Sequence, residues 1–296
     1  MKVLNFGSIN IDLVYRVPHI VRPGETLSSL SCERFAGGKG NNQSIALAKA
    51  GVRVFHAGRT GADGAWIVRD LKAAGADVQG IKRDPGPTGH AIIQVAGNGQ
   101  NSIVLFPGAN RNLTRRDIRE TIDRFGKDDI LLLQNEVNGI PDMMKAAHKA
   151  GMNIWFNPAP FDRGVLDYPL SLVDLFIVNE IEAADLSGKK AGKAALAALS
   201  RTFPGAQILM TLGAKGALLK SGKQEWFAPA PKVKAVDTTA AGDTFIGYFA
   251  ASLIRGLAPD RCLAFACKAA AISVTRKGAA NSIPAATEVF RTSRRT

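Results

Sequence analysis

Short apolar runs alternate with alanine-rich amphipathic stretches along most of the chain. The apolar runs are rich in β-branched residues and predict core strands at 2–8, 129–133, 153–157, 175–179 and 207–212. The amphipathic stretches predict helices at 41–50, 65–74, 141–150 and 193–201, and a glycine closes several of them. Each predicted strand is too apolar for a sheet with one face in water. The pattern therefore indicates an α/β fold in which crossover helices join the strands of a mainly parallel central sheet.

Two segments depart from this alternation. Residues 12–34 and 90–106 lack helical periodicity and predict strands with turns at Pro23-Gly24 and Gly97-Asn98-Gly99. Both look like antiparallel insertions into a βα chain, so we expect them to form a small second sheet that covers a cleft. Because no linker, internal repeat or low-complexity segment divides the chain, the sequence predicts one domain over 1–296 with this sheet as its lid.

The composition is ordinary for a globular chain except for its charge. With 46% hydrophobic residues, a chain of 296 residues is long enough to bury a core. The net charge of +13 favours anionic partners such as nucleotides, sugar phosphates or nucleic acid, and it also fits a basic surface that serves only solubility. The basic cluster at 111–119 lacks the interleaved aromatic residues of a single-strand binding surface, so we expect no nucleic-acid partner.

The cysteines and the apolar runs indicate in which cellular compartment the protein is expected. Cys32, Cys262 and Cys267 form no CxxC pair and no Cys/His metal spacing, which favours a reduced, cytoplasmic protein without structural zinc. The first residues are typical of a strand rather than a signal peptide. No apolar run approaches the length that spans a membrane, so we expect no membrane partner.

The motif Asp237-Thr-Thr-Ala-Ala-Gly-Asp243 precedes an apolar stretch at 244–254. Small residues before a helix leave backbone N–H groups unshielded at the positive end of the helix dipole, where anions bind. The N–H groups of Ala240, Ala241, Gly242 and Asp243 are therefore candidates to hold the charge that builds on a transferring phosphoryl group. The Asp243 carboxylate is a candidate base for an attacking hydroxyl. The alternative is that Asp243 only caps the helix.

A second motif, Gly37-Gly-Lys-Gly-Asn-Asn-Gln43, combines glycines with a lysine and amides. The glycines allow close backbone approach, and the amides suit several neighbouring hydroxyl groups. Taken alone, the motif also fits a tight turn between a strand and a helix. Its presence beside the first motif favours phosphoryl transfer over simple helix capping.

The two motifs resemble the signatures of the ribokinase-like (PfkB-type) carbohydrate kinases. Further segments match in family order, namely Asn10-Ile-Asp12, Asn157-Pro-Ala-Pro160, Asn179-Glu-Ile-Glu182, Thr211-Leu-Gly-Ala-Lys-Gly216 and Thr275-Arg-Lys-Gly278. Several ordered motifs over nearly the whole chain are far more specific than one glycine loop. The resemblance implies a three-layer α/β/α sandwich with a β-sheet lid, in which sugar binds between lid and sheet and ATP binds beside it.

The resemblance also implies a sugar site. Its residues would be Asn10, Asp12, Gly38, Lys39, Asn42, Glu136 and the catalytic Asp243. Carboxylates and amides can grip vicinal hydroxyls, and Lys39 can donate to sugar oxygens or phosphate. Considered singly, Asp12 or Glu136 would more often be an ordinary loop acid.

The resemblance also implies a nucleotide site and two cation sites. The nucleotide residues implied are Asn179, Thr211, Gly213, Gly216, Gly242 and, near the adenine, Cys267. Glu182 would organise Mg²⁺ through water, which suits a cation that dehydrates reluctantly. A monovalent cation, K⁺, would bind Asp237 and Thr239, with mainly carbonyl oxygens from Ser273, Arg276, Gly278 and Ser282. Asn179 and Glu182 also fit a helix capping box, and the two roles can coexist.

Three positions depart from the family signatures. Glycine is common where this chain has Ala240, which is tolerable if its φ is negative. Tyr248 and Asn41 stand where small residues are more usual. These changes leave the chemistry intact but leave the identity of the sugar open, because pocket shape decides among related acceptors.

The sequence thus predicts an ATP-dependent kinase acting on a primary hydroxyl of a small sugar, with D-ribose as the first acceptor. Deoxyribose, another pentose, fructose or a nucleoside are alternative acceptors. A sugar or nucleotide sensor without catalysis is an alternative of another class, and the presence of Asp243 in its small-residue turn argues against it. The resemblance further suggests a homodimer through the lids, since an apolar lid edge would need to be covered.

Overall fold

A computed structural model describes residues 1–290 of the chain. Its strands are β1 (Val3–Phe6), β2 (Asn10–Val17), β3 (Ser31–Gly37), β4 (Val54–Thr60), β5 (Asp77–Arg83), β6 (Gly89–Ala96), β7 (Asn101–Phe106), β8 (Ile130–Gln134), β9 (Asn153–Asn157), β10 (Leu175–Asn179), β11 (Gln207–Thr211), β12 (Ala217–Ser221) and β13 (Gln224–Ala228). Its helices are α1 (Lys39–Lys49), α2 (Ala65–Ala73), α3 (Arg115–Ile122), α4 (Ile140–Lys149), α5 (Glu180–Ser187), α6 (Lys193–Thr202), α7 (Ala241–Ile254), α8 (Pro259–Val274) and α9 (Ala286–Phe290). None of these helices has both the length and the hydropathy needed to cross a membrane.

The central sheet has nine strands in the order β13-β12-β11-β10-β9-β8-β1-β4-β5. Pairing is parallel from β5 through to β11, and only β12 and β13 pair antiparallel at one edge. The predicted mainly parallel sheet is confirmed. All five predicted core strands form, with their ends displaced by at most two residues.

Side chains of the central strands alternate between two hydrophobic clusters. In β1, Val3 packs with helices α1, α2, α7 and α8, whereas Leu4 packs with α3, α4, α5 and α6 on the other face. Leu132 and Leu131 of β8 divide in the same way. Because both faces are covered, the strands are apolar throughout, as parallel sheets require. The three-layer α/β/α arrangement is therefore confirmed.

The second sheet has four strands in the order β3-β2-β6-β7 and is formed by the two segments that lacked helical periodicity. The pairs β2–β3 and β6–β7 are antiparallel, as expected, but β2 and β6 pair in parallel. The expectation of purely antiparallel insertions was wrong on this point. The reason is topological: β2 follows β1 and β6 follows β5, and these two strands run in the same direction in the central sheet.

Candidate active site

Polar residues stand where the parallel strands of the central sheet end. Gln134 ends β8, Asn157 ends β9, Asn179 ends β10 and Thr211 ends β11, and these strands are neighbours in the sheet. In open parallel sheets, ligands bind in the crevice at the carboxyl ends of the strands. The topology thus brings residues from distant parts of the chain to one edge.

The motif at 37–43 joins β3 of the second sheet to helix α1 at this edge. Gly38 has a φ of +89°, and a Cβ there would lie 3.0 Å from the backbone nitrogen of Asn10. Gly40 approaches β1 so closely that a Cβ would lie 2.4 Å from the backbone nitrogen of Ser8. The glycines therefore allow α1 to start directly against the end of β1, which brings Lys39 to the site.

Asp243 is the third residue of α7 and has only 7% of its surface exposed. Its Oδ2 accepts a hydrogen bond from Asn42 Nδ2 at 3.1 Å, and its Oδ1 accepts one from Gln43 Nε2 at 2.9 Å. These partners lie on α1 and not on α7, so the alternative that Asp243 only caps its own helix is wrong. The two motifs, about 200 positions apart in sequence, form one site.

The start of α7 contains a left-handed residue. Ala240 has a φ of +57°, so the condition of a negative φ, under which alanine replaces glycine without strain, is not met. A non-glycine residue in this conformation costs about 1 kcal/mol, which glycine avoids. The turn is held by the N–H of Ala241, which donates to the Thr238 carbonyl oxygen at 3.3 Å. Gly242 and Asp243 follow in the first helical turn, where N–H groups have no partner within the helix.

A cavity of about 220 Å³ lies between these elements. Its polar and backbone lining comes from Lys39, Asn157, Asn179, Glu182, Thr211, Thr238, Ala240, Ala241, Gly242 and Asp243, and its apolar lining from Ala159, Ile177, Val178 and Ile246. Residues that the sequence predicted to bind the sugar and residues that it predicted to bind the nucleotide therefore line the same cavity. Lys39 and Asp243 face it together with the capping residues of α5.

Two predicted sugar residues outside this lining, Glu136 and Asn10, are held in place by hydrogen bonds. Glu136 Oε2 accepts from the backbone N–H of Lys39 at 2.9 Å and from the Ser8 hydroxyl. Asn10, the first residue of β2, is buried, and its Oδ1 accepts from Asn110 Nδ2 at 2.7 Å. The Glu136 carboxylate thus joins the loop after β1 to the start of α1.

Asp12 lies on the lid strand β2, two residues beyond Asn10 and on the same face. Its carboxyl group covers Gly37, because a Cβ at Gly37 would lie 2.1–2.3 Å from the carboxyl atoms of Asp12. Burial, followed by the charge of Glu136, raises the pKa of Asp12 to about 7. This carboxyl group therefore changes its charge near neutral pH.

Lys39 stands among three carboxyl groups. Burial alone would lower the pKa of its ammonium group, but the charges of Asp243, Glu136 and Glu182 outweigh burial and raise it. Burial raises the pKa of Glu136 and of Glu182 above the ordinary glutamate value. Lys39 accordingly remains positive and is available to an anionic ligand.

Asn179 and Glu182 form the capping box that the sequence allowed. Asn179 Oδ1 accepts from the N–H groups of Ile181 and Glu182, both at 2.8 Å, and the Glu182 carboxylate accepts from the N–H of Asn179 at 3.0 Å. The capping interpretation is confirmed. Because both side chains also line the cavity, capping and ligand binding are compatible.

The remaining nucleotide residues divide into two groups. Thr211 borders the cavity, whereas Gly213 and Gly216 lie in the turn after β11 with φ of +57° and +122°. Cys267 is buried on α8, where its Sγ donates to the Ala228 carbonyl oxygen at 3.8 Å. Burial raises the pKa of the Cys267 thiol to about 11. The structure therefore brings Thr211 to the cavity, but not these two glycines or Cys267.

The residues predicted to bind K⁺ come from two segments, 237–239 before α7 and 273–282 at and after the end of α8. The Asp237 carboxylate accepts from the N–H and hydroxyl of Thr239 at 2.9 and 2.6 Å and from the N–H of Gly278 at 2.9 Å. The carbonyl oxygen of Ser273 accepts from the N–H of Arg276 at 3.0 Å, and the Ser282 hydroxyl donates to the Ala279 carbonyl oxygen at 2.7 Å. The Arg276 guanidinium pairs with Glu288, so only its backbone remains for such a site.

Some residues of the site carried no sequence signal. Ser8 holds Glu136, and Asn110 holds both Asn10 and the Ile9 backbone. Gln43 belonged to a motif, but its bond to Asp243 was not predicted. Each of these contacts joins residues 100 or more positions apart, so no local pattern could reveal it.

Comparison with known proteins agrees with this geometry. The family model described as pfkB family carbohydrate kinase matches residues 1–286. The chain belongs to this family. It is 38% identical to a ribokinase of Haemophilus influenzae over 96% of this chain and 95% of the relative. It is also 33% identical to a deoxyribokinase of Salmonella typhimurium, over 96% of both chains.

A solved structure extends the likeness to three dimensions. The ribokinase of Arabidopsis thaliana, complexed with ribose and ATP, superposes with a TM-score of 0.88 at 31% identity, over 98% of this chain and 97% of the other. The nine-stranded sheet and the four-stranded second sheet described above are therefore the ribokinase-like fold.

Proposed function

We propose that this chain transfers the γ-phosphoryl group of ATP to the O5 hydroxyl of D-ribose. The observation that carries the proposal is the position of Asp243: a buried carboxylate on the wall of a cavity that it shares with Lys39 and the first-turn amides of α7. Ribose as acceptor is supported by the ribokinase of Haemophilus influenzae and by the ribose- and ATP-bound ribokinase of Arabidopsis thaliana.

In this proposal, the proton of the O5 hydroxyl passes to the Asp243 carboxylate. The O5 oxygen forms a bond to the γ-phosphorus, the bond from that phosphorus to the β-bridging oxygen breaks, and ADP leaves. The amides of Gly242 and Asp243 and the Lys39 ammonium group lower the energy of the charge on the transferring group. Asn10, Asp12, Asn42 and Glu136 would hold the sugar hydroxyls.

Mg²⁺ fits the residues present. Glu182 borders the cavity, and one of its oxygens is engaged by the N–H of Asn179. A carboxylate of this kind suits Mg²⁺ bound through water, because this cation retains several of its water ligands. When bound, the ion would neutralise charge on the ATP phosphates, with Glu182 and Asn179 as the nearest protein groups.

K⁺ fits the loops around Asp237. Their available groups are the carboxylate of Asp237, the hydroxyl of Thr239 and the carbonyl oxygens of Ser273, Arg276, Gly278 and Ser282, all hard oxygen donors. The hydrogen bonds of Asp237 to both loops hold these donors beside the start of α7. When bound, the cation would supply positive charge near the phosphoryl-binding amides.

The lid sheet would close over the sugar and join two copies of the chain. Its edge strand β7 carries four exposed apolar residues in succession, Ile103, Val104, Leu105 and Phe106, with exposures of 46–63%. A long, apolar, unpaired edge favours pairing with another chain. We therefore include a homodimer through the lids in the proposal.

A panel of acceptors tests the proposal. ADP release is measured by a coupled assay with D-ribose, 2-deoxyribose, other pentoses, fructose and nucleosides, and kcat/KM is compared across them. We expect D-ribose to give the largest value. The second candidate is deoxyribose, which the deoxyribokinase relative favours, and it would be indicated by a larger kcat/KM than that of ribose. Absence of ADP release with every acceptor would refute the kinase proposal.

A further inference from the structure

A row of buried amide side chains runs from Asp243 into the core. Gln43 Nε2 donates to Asp243 Oδ1 at 2.9 Å, and Gln43 Oε1 accepts from Gln134 Nε2 at 2.6 Å. Gln134 Nε2 also donates to Asn5 Oδ1 at 2.9 Å, and Asn5 Nδ2 donates to the Gly40 carbonyl oxygen at 2.8 Å. The three amides are at most 1% exposed.

The hydrogen bonds along this row of amides all have one donor-to-acceptor direction, which the contact between Asn5 and the Gly40 carbonyl oxygen sets. A backbone carbonyl can only accept, so the Gly40 oxygen requires the NH₂ group of Asn5, and the Asn5 oxygen then faces the NH₂ group of Gln134. That NH₂ group faces the oxygen of Gln43, so the NH₂ group of Gln43 points to Asp243 at 2.9 Å and, at 3.3 Å, to Asn157 Oδ1. Flipping any single amide would place two oxygens or two NH₂ groups in contact without water, which is costly in a buried site.

The Gln134 amide keeps the orientation that this hydrogen-bond direction requires, although its own oxygen is then left without a partner. Its Oε1 is buried and has no hydrogen-bond partner within residues 1–290. The atom faces Gly7, where a Cβ would lie only 2.4 Å away. The side chain therefore leaves its oxygen unsatisfied and keeps its NH₂ group between the oxygens of Asn5 and Gln43.

The row carries no other charge that competes with Asp243. Asn5 Nδ2 also donates to Ser44 Oγ at 2.8 Å, and this hydroxyl lies 2.8 Å from Nδ1 of His56. Burial lowers the pKa of His56 to about 4, so its imidazole is neutral at neutral pH. The inner end of the row is thus a neutral network of amides, a hydroxyl and an imidazole.

We propose that Gln43 is a positioning residue for Asp243 and that Gln134 and Asn5 fix the orientation of the Gln43 amide. This inference rests on the proposed role of Asp243 as base. The Gln43 donor holds Oδ1 at 2.9 Å and so fixes the direction in which the Asp243 carboxylate faces the cavity. The other titratable groups whose charges act on this site are Lys39, Glu136 and Glu182, and the variants below leave all three in place.

The test replaces Gln43 with methionine, which has nearly the same shape but neither donor nor acceptor. For Gln43→Met we expect kcat to fall about 10- to 100-fold while the dissociation constants of ribose and ATP change by less than about threefold. Gln134→Met does not touch Asp243, and we expect a smaller fall in kcat in the same direction.

Asp129→Ala is the matched control. Asp129 is also buried and accepts the N–H of Lys2 at 2.8 Å, but it lies just before β8, at the opposite end of the strand from Gln134. This variant should lower Tm as Gln43→Met does and leave kcat unchanged. A Gln43→Met enzyme with wild-type kcat, or one whose loss of activity lies only in weaker binding of ribose or ATP, would overturn the inference. If the Asp243→Asn enzyme is inactive in the same assay, the base assignment still stands; if it turns over normally, the proposed function itself fails.

Discussion

The side-chain amide of Asn42 donates to the carboxylate of Asp243 across 201 positions of sequence, with 3.1 Å between Nδ2 and Oδ2. Asn42 lies on the helix that follows the lid, and Asp243 lies at the start of the helix that follows the small-residue turn. The contact therefore joins the proposed sugar-binding segment to the proposed phosphoryl-binding segment. A sugar hydroxyl held by Asn42 would lie beside the base that removes its proton.

Asp243→Asn should abolish most of the turnover and retain nucleotide binding. The amide keeps the shape of the carboxylate but cannot take the hydroxyl proton, so we expect kcat to fall about 10²- to 10⁴-fold. ATP binding by calorimetry should change little. Asp260→Asn is the control, because Asp260 is an exposed acid in the first turn of α8. Unchanged turnover of Asp243→Asn would contradict the assigned base.

The affinity for sugar should depend on pH through Asp12. Its pKa is raised to about 7, so the carboxyl group is protonated below this pH and ionised above it. Only the ionised form can accept hydrogen bonds from sugar hydroxyls through both oxygens, so binding should strengthen as pH rises from 6 to 8. Calorimetric titration of ribose without nucleotide measures this directly.

Asp12→Asn should remove that pH dependence, because an amide does not titrate. Binding of ADP, measured at the same pH values, serves as the control for a general effect of pH on the protein. The assignment would be contradicted by a ribose affinity that varies with pH to the same extent in Asp12→Asn and in the unaltered chain.

Gly37→Ala should weaken sugar binding. The added methyl group would lie 2.1–2.3 Å from the Asp12 carboxyl atoms and would push this side chain out of place. We expect the KM for sugar to rise about 10-fold or more, with a smaller effect on the KM for ATP. Gly97→Ala is the matched control, since Gly97 follows β6 in the lid and a Cβ there meets nothing within 4 Å. Equal effects of the two variants would argue against displacement of Asp12.

The sequence predicted the parts of this protein that local patterns encode. The five core strands are apolar runs, and the two motifs contain Asp243 and Lys39, so both could be recognised without coordinates. Strand β4 was not among the predicted strands, because His56 and Arg59 interrupt its apolar pattern. His56 is fully buried, and Arg59 pairs with Asp84 and Asp117. Tertiary partners that satisfy polar groups cannot be read from a strand's own residues.

The conformation of Ala240 illustrates the same limit for the site. Alanine in place of the common glycine is free of strain only at a negative φ, yet Ala240 has a φ of +57°. The residue types of the motif at 237–243 do not by themselves determine the sign of this angle.

His56 should make the fold sensitive to acid. Burial lowers its pKa from 6.5 to about 4, so between these values the unfolded chain binds a proton that the folded chain excludes. Folding stability should therefore fall as pH drops below 6.5 and level off near 4, by a total on the order of 3 kcal/mol. Chemical denaturation at several pH values measures this loss.

His56→Gln should flatten the part of that pH dependence that comes from His56, because glutamine can still accept from Ser44 but does not titrate. His148→Gln, at an exposed position on α4, should leave the curve unaltered. An acid loss of stability that is the same in His56→Gln and in the unaltered chain would exclude His56 as its source.

The lid edge should determine the oligomeric state. Ile103 is 57% exposed on β7, and a charge there would be buried unpaired if two lids met through this strand. Ile103→Glu should therefore convert a dimer into a monomer in analytical ultracentrifugation. Leu166→Glu introduces the same charge at a site that is 50% exposed and outside the lid, and it should leave the dimer intact. The lid strands also carry Asn10 and Asp12, so the monomeric variant should show a raised KM for sugar. If Leu166→Glu dissociates the dimer and Ile103→Glu does not, the interface lies outside the lid.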